Sequence, residues 1–248
     1  MKILVFKNYE ELSKRAAEEI ASTIEAKPNA VICLASGDSP RRTCEIFVQE
    51  ANQKRLDLSG AHFVGLDEWV GVSPDDPGSC QYFLRHNIIN PLNVDRNHFH
   101  LFNVMASDLR DECLKMDNTI SQLGGVDIMV VGIGMNGHIG FNEPGVAPDL
   151  FCHVAELDDT TQEVGQKYFT QKKELKMGIT LGLAHLTHAR KALLLASGIH
   201  KAPIVSRAFQ ASITNQVPAS ILQTHPNSLI LLDEDAASNL VEKKKKCM

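Results

Sequence analysis

The residues best suited to chemistry lie in one glycine-rich stretch, VDIMVVGIGMNGHIGFNEPG, from Val126 to Gly145. Its apolar, β-branched beginning predicts a buried strand. Asn136, His138 and Glu143 follow among closely spaced glycines. An imidazole can exchange a proton near neutral pH, and a neighbouring carboxylate can orient it. Because ligands of parallel α/β sheets bind beyond the carboxyl ends of strands, the stretch predicts an acid–base site there.

Two other interpretations of this stretch are less consistent with its residues. A plain connecting turn would not need so many glycines around an imidazole and a carboxylate. The letters GIGMNG fit the dinucleotide-binding pattern G-x-G-x-x-G, but no helix-forming run follows and Pro144 interrupts the chain. No acidic residue ends a clear second strand about twenty residues later, as a dinucleotide site would require.

A second pair of candidate acid–base groups follows the predicted strand 62–66. Asp67 and Glu68 are adjacent and precede Trp69, the only tryptophan of the chain. Side chains alternate along an extended segment, so only one of the two carboxylates can face a shared site. We expect Asp67 to be the base and Glu68 to be a salt-bridge partner or a loop cap.

The turn Ser36-Gly37-Asp38-Ser39-Pro40 predicts a phosphate site, since it joins a predicted strand to a helix N-terminus. Backbone N–H groups, two hydroxyls and the helix dipole would converge on one point. The simpler alternative is that Ser39 only caps the helix. Asp38 would have to point away from a bound anion.

A similar strand–glycine–helix start occurs at Ser197 to Lys201. Lys201 could complete a clamp on the same phosphate, and the alternative is a solvated lysine on a helix face.

The order of elements predicts the fold class. Predicted strands and helices alternate along the whole chain, without a linker, a low-complexity tract or a repeat. This alternation indicates α/β: one doubly wound, Rossmann-like domain over residues 1–242, with a single largely parallel sheet flanked by helices. Residues 243–248 contain four consecutive lysines and are expected to be a disordered tail. The strands are predicted at 2–6, 30–35, 62–66, 97–101, 128–131, 191–196 and 229–232, and the main helices at 9–26, 41–53, 79–89 and 106–123.

Composition excludes several functional classes. The net charge of −5 argues against nucleic-acid or membrane-surface binding, which needs a basic face. No apolar run approaches the ~20 residues of a membrane span, and the first residues indicate a strand rather than a signal peptide. The six cysteines are scattered without a C-x-x-C pair, so neither a metal site nor a disulfide framework is predicted. We expect reduced thiols and a cytoplasmic location.

Four motifs, taken together, resemble the glucosamine-6-phosphate deaminase/isomerase family. They are LASGDSP, FVGLDEWVG, MVVGIGMNGHIGFNEPG and LLLASGIHKA, and the likeness covers essentially the whole chain. The stretches KPNAVICLASG, DEWVGVSPDDPGSC and MGITLGL look similar to the galactosamine-6-phosphate isomerase branch. The resemblance implies conversion of an amino-sugar 6-phosphate to a ketose 6-phosphate and ammonia. It implies no metal or organic cofactor, and a homo-oligomer is possible.

The resemblance also implies roles for residues. His138 would open the sugar ring, Glu143 would orient His138, Asn136 would support them, and Asp67 would move a proton between C2 and C1. Many family members carry Asp at the position of Asn136, and an amide cannot stabilise an imidazolium as a carboxylate does. The substrate-binding residues implied are Ser36, Gly37, Ser39, Gly137, Lys201 and Lys167, the last near the position of a family arginine whose motif is absent here.

Two other functions share parts of this pattern. The 6-phosphogluconolactonases are hydrolases with a similar loop around their histidine, but they lack the NEPG glutamate and the LDEWVG motif. Sugar-responsive repressors carry a similar domain as a non-enzymatic sensor behind an N-terminal DNA-binding module, and this sequence begins with its first predicted strand.

Overall fold

The computed structural model of the protein describes residues 1–241. Its centre is a seven-stranded sheet in the order β1-β10-β9-β6-β2-β3-β5, and every neighbouring pair is parallel. The strands are β1 Lys2–Phe6, β2 Val31–Leu34, β3 His62–Gly65, β5 Phe99–His100, β6 Ile128–Gly132, β9 Lys191–Ala196 and β10 Ser228–Asp233. The predicted doubly wound, largely parallel sheet is therefore confirmed.

Helices cover both faces of this sheet. They are α1 Tyr9–Ala26, α2 Asp38–Lys54, α3 Cys80–Leu84, α4 Asn90–Leu92, α5 Leu109–Gln122, α6 Asp159–Gly165, α7 Leu183–His188, α8 Ala202–Gln210 and α9 Glu234–Ala237. None of the helices in residues 1–241 has the length and apolar character needed to cross a membrane.

The central strand β6 shows why the sheet is buried on both sides. Ile128 and Val130 pack with α1 and α2 in one core, whereas Met129 and Val131 pack with α5 and α8 in the other. All four side chains are almost completely inaccessible to solvent. A strand with helices on both faces must be apolar at every position, which explains the continuous run IMVV.

A second, smaller sheet was not predicted. Strands β4 Asp67–Trp69, β7 His153–Glu156 and β8 Met177–Thr180 pair antiparallel in the order β4-β8-β7. The pairing of these strands has no signal in the sequence, because the three strands are far apart in the chain. The predicted strand 62–66 ends at Gly65, and Asp67 begins the new strand.

The proposed domain boundary at residue 242, the lysine-rich tail 243–248 and Cys247 lie outside the described residues. The five remaining cysteines are free thiols.

Candidate active site

The loop after β6 holds His138 in a fixed place. The Gly134 N–H donates to the His138 carbonyl at 2.9 Å, which closes the loop on itself. The imidazole lies directly on Gly134, where an added Cβ would come within 2.2 to 2.4 Å of three ring atoms. Since no Cβ can approach a ring that closely, only glycine at position 134 allows this position of the imidazole.

Two side chains contact the inner nitrogen of His138, and a third supports them. Its Nδ1 lies 3.0 Å from the Thr161 hydroxyl and 3.5 Å from the Glu143 carboxylate. The Asn136 amide donates to Glu143 Oε2 at 2.9 Å, and its oxygen accepts from the His138 backbone N–H at 3.2 Å. Asn136 and Glu143 thus lie beside His138, where the sequence-based assignment requires them. Asn136 reaches the imidazole only through Glu143 and the loop backbone.

Glu143 is the anionic member of this group. It is 9% exposed, and its Oε1 is buried without a hydrogen-bond partner. Burial alone would raise the pKa of Glu143, but the hydrogen bond and charge of His138 outweigh it and leave the pKa below its usual value. An ionised carboxylate beside Nδ1 can accept a hydrogen bond from the imidazole and fix its orientation.

Asp67 is the first residue of β4, and it lines the same cavity as His138. Burial raises the pKa of Asp67 to about 7, the nearby Glu68 carboxylate adds to the rise, and the Cys80 thiol partly opposes it. A carboxylate with a pKa near neutral can both accept and return a proton at working pH.

Glu68 points to the opposite side of β4 and is completely buried. Its carboxylate accepts from the Ser79 hydroxyl at 2.6 Å and from the backbone N–H groups of Trp69, Cys80 and Gln81 at 2.8, 3.0 and 2.8 Å. It therefore caps the N-terminus of α3, one of the two roles expected for it.

The turn between β2 and α2 forms the other side of the cavity. Helix α2 begins at Asp38, and Gly37 precedes it as the cap residue. The hydroxyl of Tyr9 donates to the carbonyls of Asp38 and Ser39 at 2.6 and 3.0 Å, which fixes the turn. Ser36, Gly37 and Ser39 line the cavity at a helix N-terminus, a favourable place for an anion.

Two lysines complete this end of the cavity. Lys201 donates to the Ile133 carbonyl at 2.6 Å, and burial together with the nearby Lys167 charge lowers its pKa to about 8. Lys167 lies 2.8 Å from the Asp38 carboxylate. Asp38 does not point away, as anion binding at the turn was expected to require, but lines the cavity and partly neutralises Lys167.

The whole cavity has a volume of about 790 Å³, within the range of small-molecule sites. Seven of the ten predicted site residues line it: Ser36, Gly37, Ser39, Asp67, His138, Lys167 and Lys201. Asn136 and Glu143 stand behind His138, as described above.

The position of Gly137 differs from the prediction. The prediction placed it among the substrate-binding residues, but it is buried away from the cavity. An added Cβ there would come within 2.8 Å of Val217, and its carbonyl accepts from the Ala219 N–H at 2.9 Å. Its φ of +95° identifies it as a turn residue of the loop.

Sequence reasoning missed two residues of the site. Thr161 lies on α6, in a polar segment without a recognisable motif, so no signal marked its contact with His138. Arg41 lines the cavity from the first turn of α2, with its guanidinium 5.1 Å from the Phe83 ring. Its position two residues after Ser39 was the available signal.

A protein-family model described as glucosamine-6-phosphate isomerases/6-phosphogluconolactonase matches residues 7–231. The chain belongs to this family. Within it, the chain is 38% identical over 239 residues to the glucosamine-6-phosphate deaminase of Thermoanaerobacter pseudethanolicus, covering 96% of this chain and 94% of that protein. It is also 38% identical over 241 residues to the glucosamine-6-phosphate deaminase of Clostridium perfringens, covering 97% and 100%.

Solved structures agree with this assignment. A monomeric glucosamine-6-phosphate deaminase superposes with a TM-score of 0.93 at 34% identity, covering 96% of this chain and 100% of the other. The 6-phosphogluconolactonase of Trypanosoma brucei superposes with a TM-score of 0.76 at 20% identity, covering 97% and 98%. The second likeness shows a shared fold. The relatives support an enzyme that deaminates an amino-sugar phosphate.

Proposed function

We propose that the protein converts glucosamine 6-phosphate and water to fructose 6-phosphate and ammonia. The observation that carries this proposal is that Asp67, His138 and the Ser36–Ser39 turn line one cavity. The cavity thus combines a pair of proton-transfer residues with an anion site. This combination suits a phosphorylated sugar whose reacting carbons lie far from its phosphate.

The proposed first step is ring opening at His138. The imidazole moves a proton from the C1 hydroxyl to the ring oxygen while the C1–ring oxygen bond breaks and the C1 carbonyl forms. Glu143 and Thr161 hold the inner nitrogen, so that the outer nitrogen faces the cavity. The carboxylate stabilises the imidazolium that exists between the two proton movements.

The proposed second step belongs to Asp67. Its carboxylate takes the proton from C2 and returns a proton to C1, while the C1 oxygen gains a proton and the amino nitrogen loses one, which leaves a C1 hydroxyl and a double bond between C2 and nitrogen. Water then adds to C2 and ammonia leaves, so the atoms balance without an oxidant or reductant. A positioned general base contributes about 10²–10⁴ in rate.

The phosphate would bind at the N-terminus of α2, between the Ser36 and Ser39 hydroxyls and the Lys201 ammonium. Lys167 can join once the phosphate competes with Asp38 for it. Because this contact is remote from the bond changes, its binding energy can hold the sugar in register.

Galactosamine 6-phosphate differs from the proposed substrate only at C4, and the sequence resembles both branches. We favour the gluco sugar because the similar proteins named above are glucosamine-6-phosphate deaminases.

The test is a side-by-side measurement of ammonia release from the two amino-sugar phosphates, with 6-phosphogluconolactone hydrolysis as a third arm. We expect the largest kcat/KM with glucosamine 6-phosphate. A larger value with galactosamine 6-phosphate would correct the substrate. Lactone hydrolysis without ammonia release from either sugar would refute the proposal.

A further inference from the structure

A second cluster of reactive side chains lies away from the cavity described above. It comprises Asp117 on α5, Cys152 just before β7 and His185 on α7. One potential ligand atom from each residue lies within 4.8 Å of the other two. Among the described residues, no other group of three His, Cys, Asp or Glu side chains meets this distance criterion.

The atoms of this cluster converge on a single nitrogen. His185 Nε2 lies 2.7 Å from Asp117 Oδ1 and 3.5 Å from Cys152 Sγ. In a nucleophile–imidazole–carboxylate relay, the thiol and the carboxylate contact different ring nitrogens. Here both approach the same nitrogen, which can carry only one proton. The arrangement therefore does not fit a catalytic triad, whereas a cation can contact all three atoms at once.

The surrounding backbone holds the three residues together without help from an ion. The Cys152 N–H donates to Asp117 Oδ1 at 3.1 Å, which ties the β7 segment to α5. The Ala184 N–H donates to the Leu150 carbonyl at 3.0 Å, which ties the same segment to α7. His185 is only 6% exposed, and the Phe151 ring packs nearly perpendicular to it. The ligand atoms are thus placed before any metal arrives.

We propose that Asp117, Cys152 and His185 form a zinc site that clamps helix α5 to helix α7 through the segment before β7. Thiolate, imidazole and carboxylate are all zinc ligands, and zinc accepts this mixture in tetrahedral geometry. Calcium and magnesium are disfavoured because they require oxygen ligands. The Asp117 side chain is 25% exposed, so a water molecule can complete the fourth position.

The distances are compatible with this ion. Zinc–sulfur and zinc–nitrogen bonds of about 2.3 and 2.0 Å at a tetrahedral angle separate the two ligand atoms by roughly 3.5 Å. The Cys152–His185 distance is 3.5 Å. The carboxylate would have to move away from the imidazole by several tenths of an ångström, which rotation of the Asp117 side chain can supply.

No sequence motif marks this site, and no metal was predicted from the cysteine spacing. Zinc motifs are recognised from closely spaced ligands. Here the ligands are separated by 35 and 33 residues and come from three different elements.

The experiment uses the untagged full-length protein, stripped with a chelator and dialysed against zinc. We expect one zinc per chain. Cobalt titration should give the visible bands of a tetrahedral site and a near-ultraviolet sulfur-to-cobalt band. Bound zinc should raise the thermal midpoint by roughly 5–10 °C, about what saturation at 100 times Kd produces.

Cys152→Ser is the main variant, because serine keeps the size of the side chain and removes the thiolate. We expect loss of the sulfur-to-cobalt band and at least about 100-fold weaker zinc binding, more than loss of an outer partner costs. Asp117→Asn, which keeps an acceptor for the Cys152 N–H, should also weaken binding. Unchanged midpoints of the metal-free variants confirm that they fold.

His100→Asn is the matched control. His62 and His100 form a histidine pair with nitrogens 3.0 Å apart and could hold zinc elsewhere. We expect this variant to bind zinc normally. If His100→Asn abolishes binding and Cys152→Ser does not, or if the wild type binds no zinc at micromolar concentration, the proposal is wrong. Ammonia release does not enter these readouts, so they are independent of the proposed function.

Discussion

Asp67 and Glu68 are adjacent carboxylates on one short strand, and their surroundings differ completely. Glu68 is fully buried and receives four hydrogen bonds at the start of α3. Asp67 faces the cavity, and only the Cys80 thiol helps to hold its charge. The difference shows that a carboxylate whose lone pairs are occupied serves the fold, whereas one left without donors is available for proton transfer.

The contrast follows from the pleat of β4. Successive side chains of a strand point to opposite faces, so one of the pair must enter the protein if the other enters the cavity. Four donors offset part of the cost of burying Glu68, although burial still raises its pKa. Asp67 lacks such donors, and burial raises its pKa to about 7.

The largest effect is expected when Asp67 is changed to Asn. The amide keeps the shape but cannot accept the C2 proton, so kcat for ammonia release should fall by about 10²–10⁴. Substrate affinity, measured by equilibrium binding, should change little. Glu68→Gln is the matched control and should keep kcat in the folded fraction within a few-fold of the wild type. A Glu68→Gln loss as large as that of Asp67→Asn would remove the distinction between the two residues.

The same two variants should shift stability in opposite directions at pH 8. Native Asp67 keeps its proton up to a pH of about 7. The unfolded chain loses that proton near pH 4, so the stability of the wild type falls between these values. Asp67→Asn removes this cost and should stabilise the protein by at most about 4 kcal/mol. Glu68→Gln removes hydrogen bonds to a charged acceptor and should destabilise it by about 2 kcal/mol. Urea titration measures both, and destabilisation by Asp67→Asn would contradict the account.

The pH profile of kcat/KM should reflect the ionisation of Asp67 and Lys201 in the free enzyme. Below pH 7 the value should rise about tenfold per pH unit as Asp67 ionises, and above pH 8 it should fall as Lys201 loses its charge. Glu68→Gln removes the charge that helps to raise the Asp67 pKa, so the acid limb should move to lower pH. An acid limb that stays in place would show that Glu68 does not act on Asp67.

The smallest effect is expected for Ser79→Ala. The Ser79 hydroxyl donates to Glu68 and accepts from the backbone N–H groups of Gln81 and Tyr82 at 3.1 and 3.3 Å. Loss of such a helix cap costs about 1 kcal/mol, which thermal unfolding can detect. Because the Glu68 carboxylate remains in place, the acid limb of the pH profile should move less than in Glu68→Gln. A shift as large as that of Glu68→Gln would show that the Ser79 hydrogen bond, and not the Glu68 charge, acts on Asp67.

Much of this arrangement was predictable from local rules. The alternation of the strand placed one carboxylate in the cavity, and the buried runs and glycine turns defined the parallel sheet and the anion site. Asp67, His138, Ser36 and Lys201 belong to four separated segments, and they meet because parallel strands end at one edge.

What escaped prediction depends on contacts between distant segments. The β4-β8-β7 sheet brings together strands with no mutual signal in the sequence. Thr161 contacts His138 because α6 packs along the cavity, which no local pattern in the sequence indicates. Gly137 looked like its neighbours in a glycine-rich loop, but packing against Val217 gives it a different place.

The most direct test follows deuterium from C2 of the proposed substrate, glucosamine 6-phosphate. The account predicts that the wild type and Glu68→Gln transfer part of the label to C1 of the ketose, because one carboxylate serves both carbons. It predicts that Asp67→Asn neither releases nor transfers the label at a comparable rate. Undiminished transfer by Asp67→Asn would show that another group moves the proton and would contradict the account.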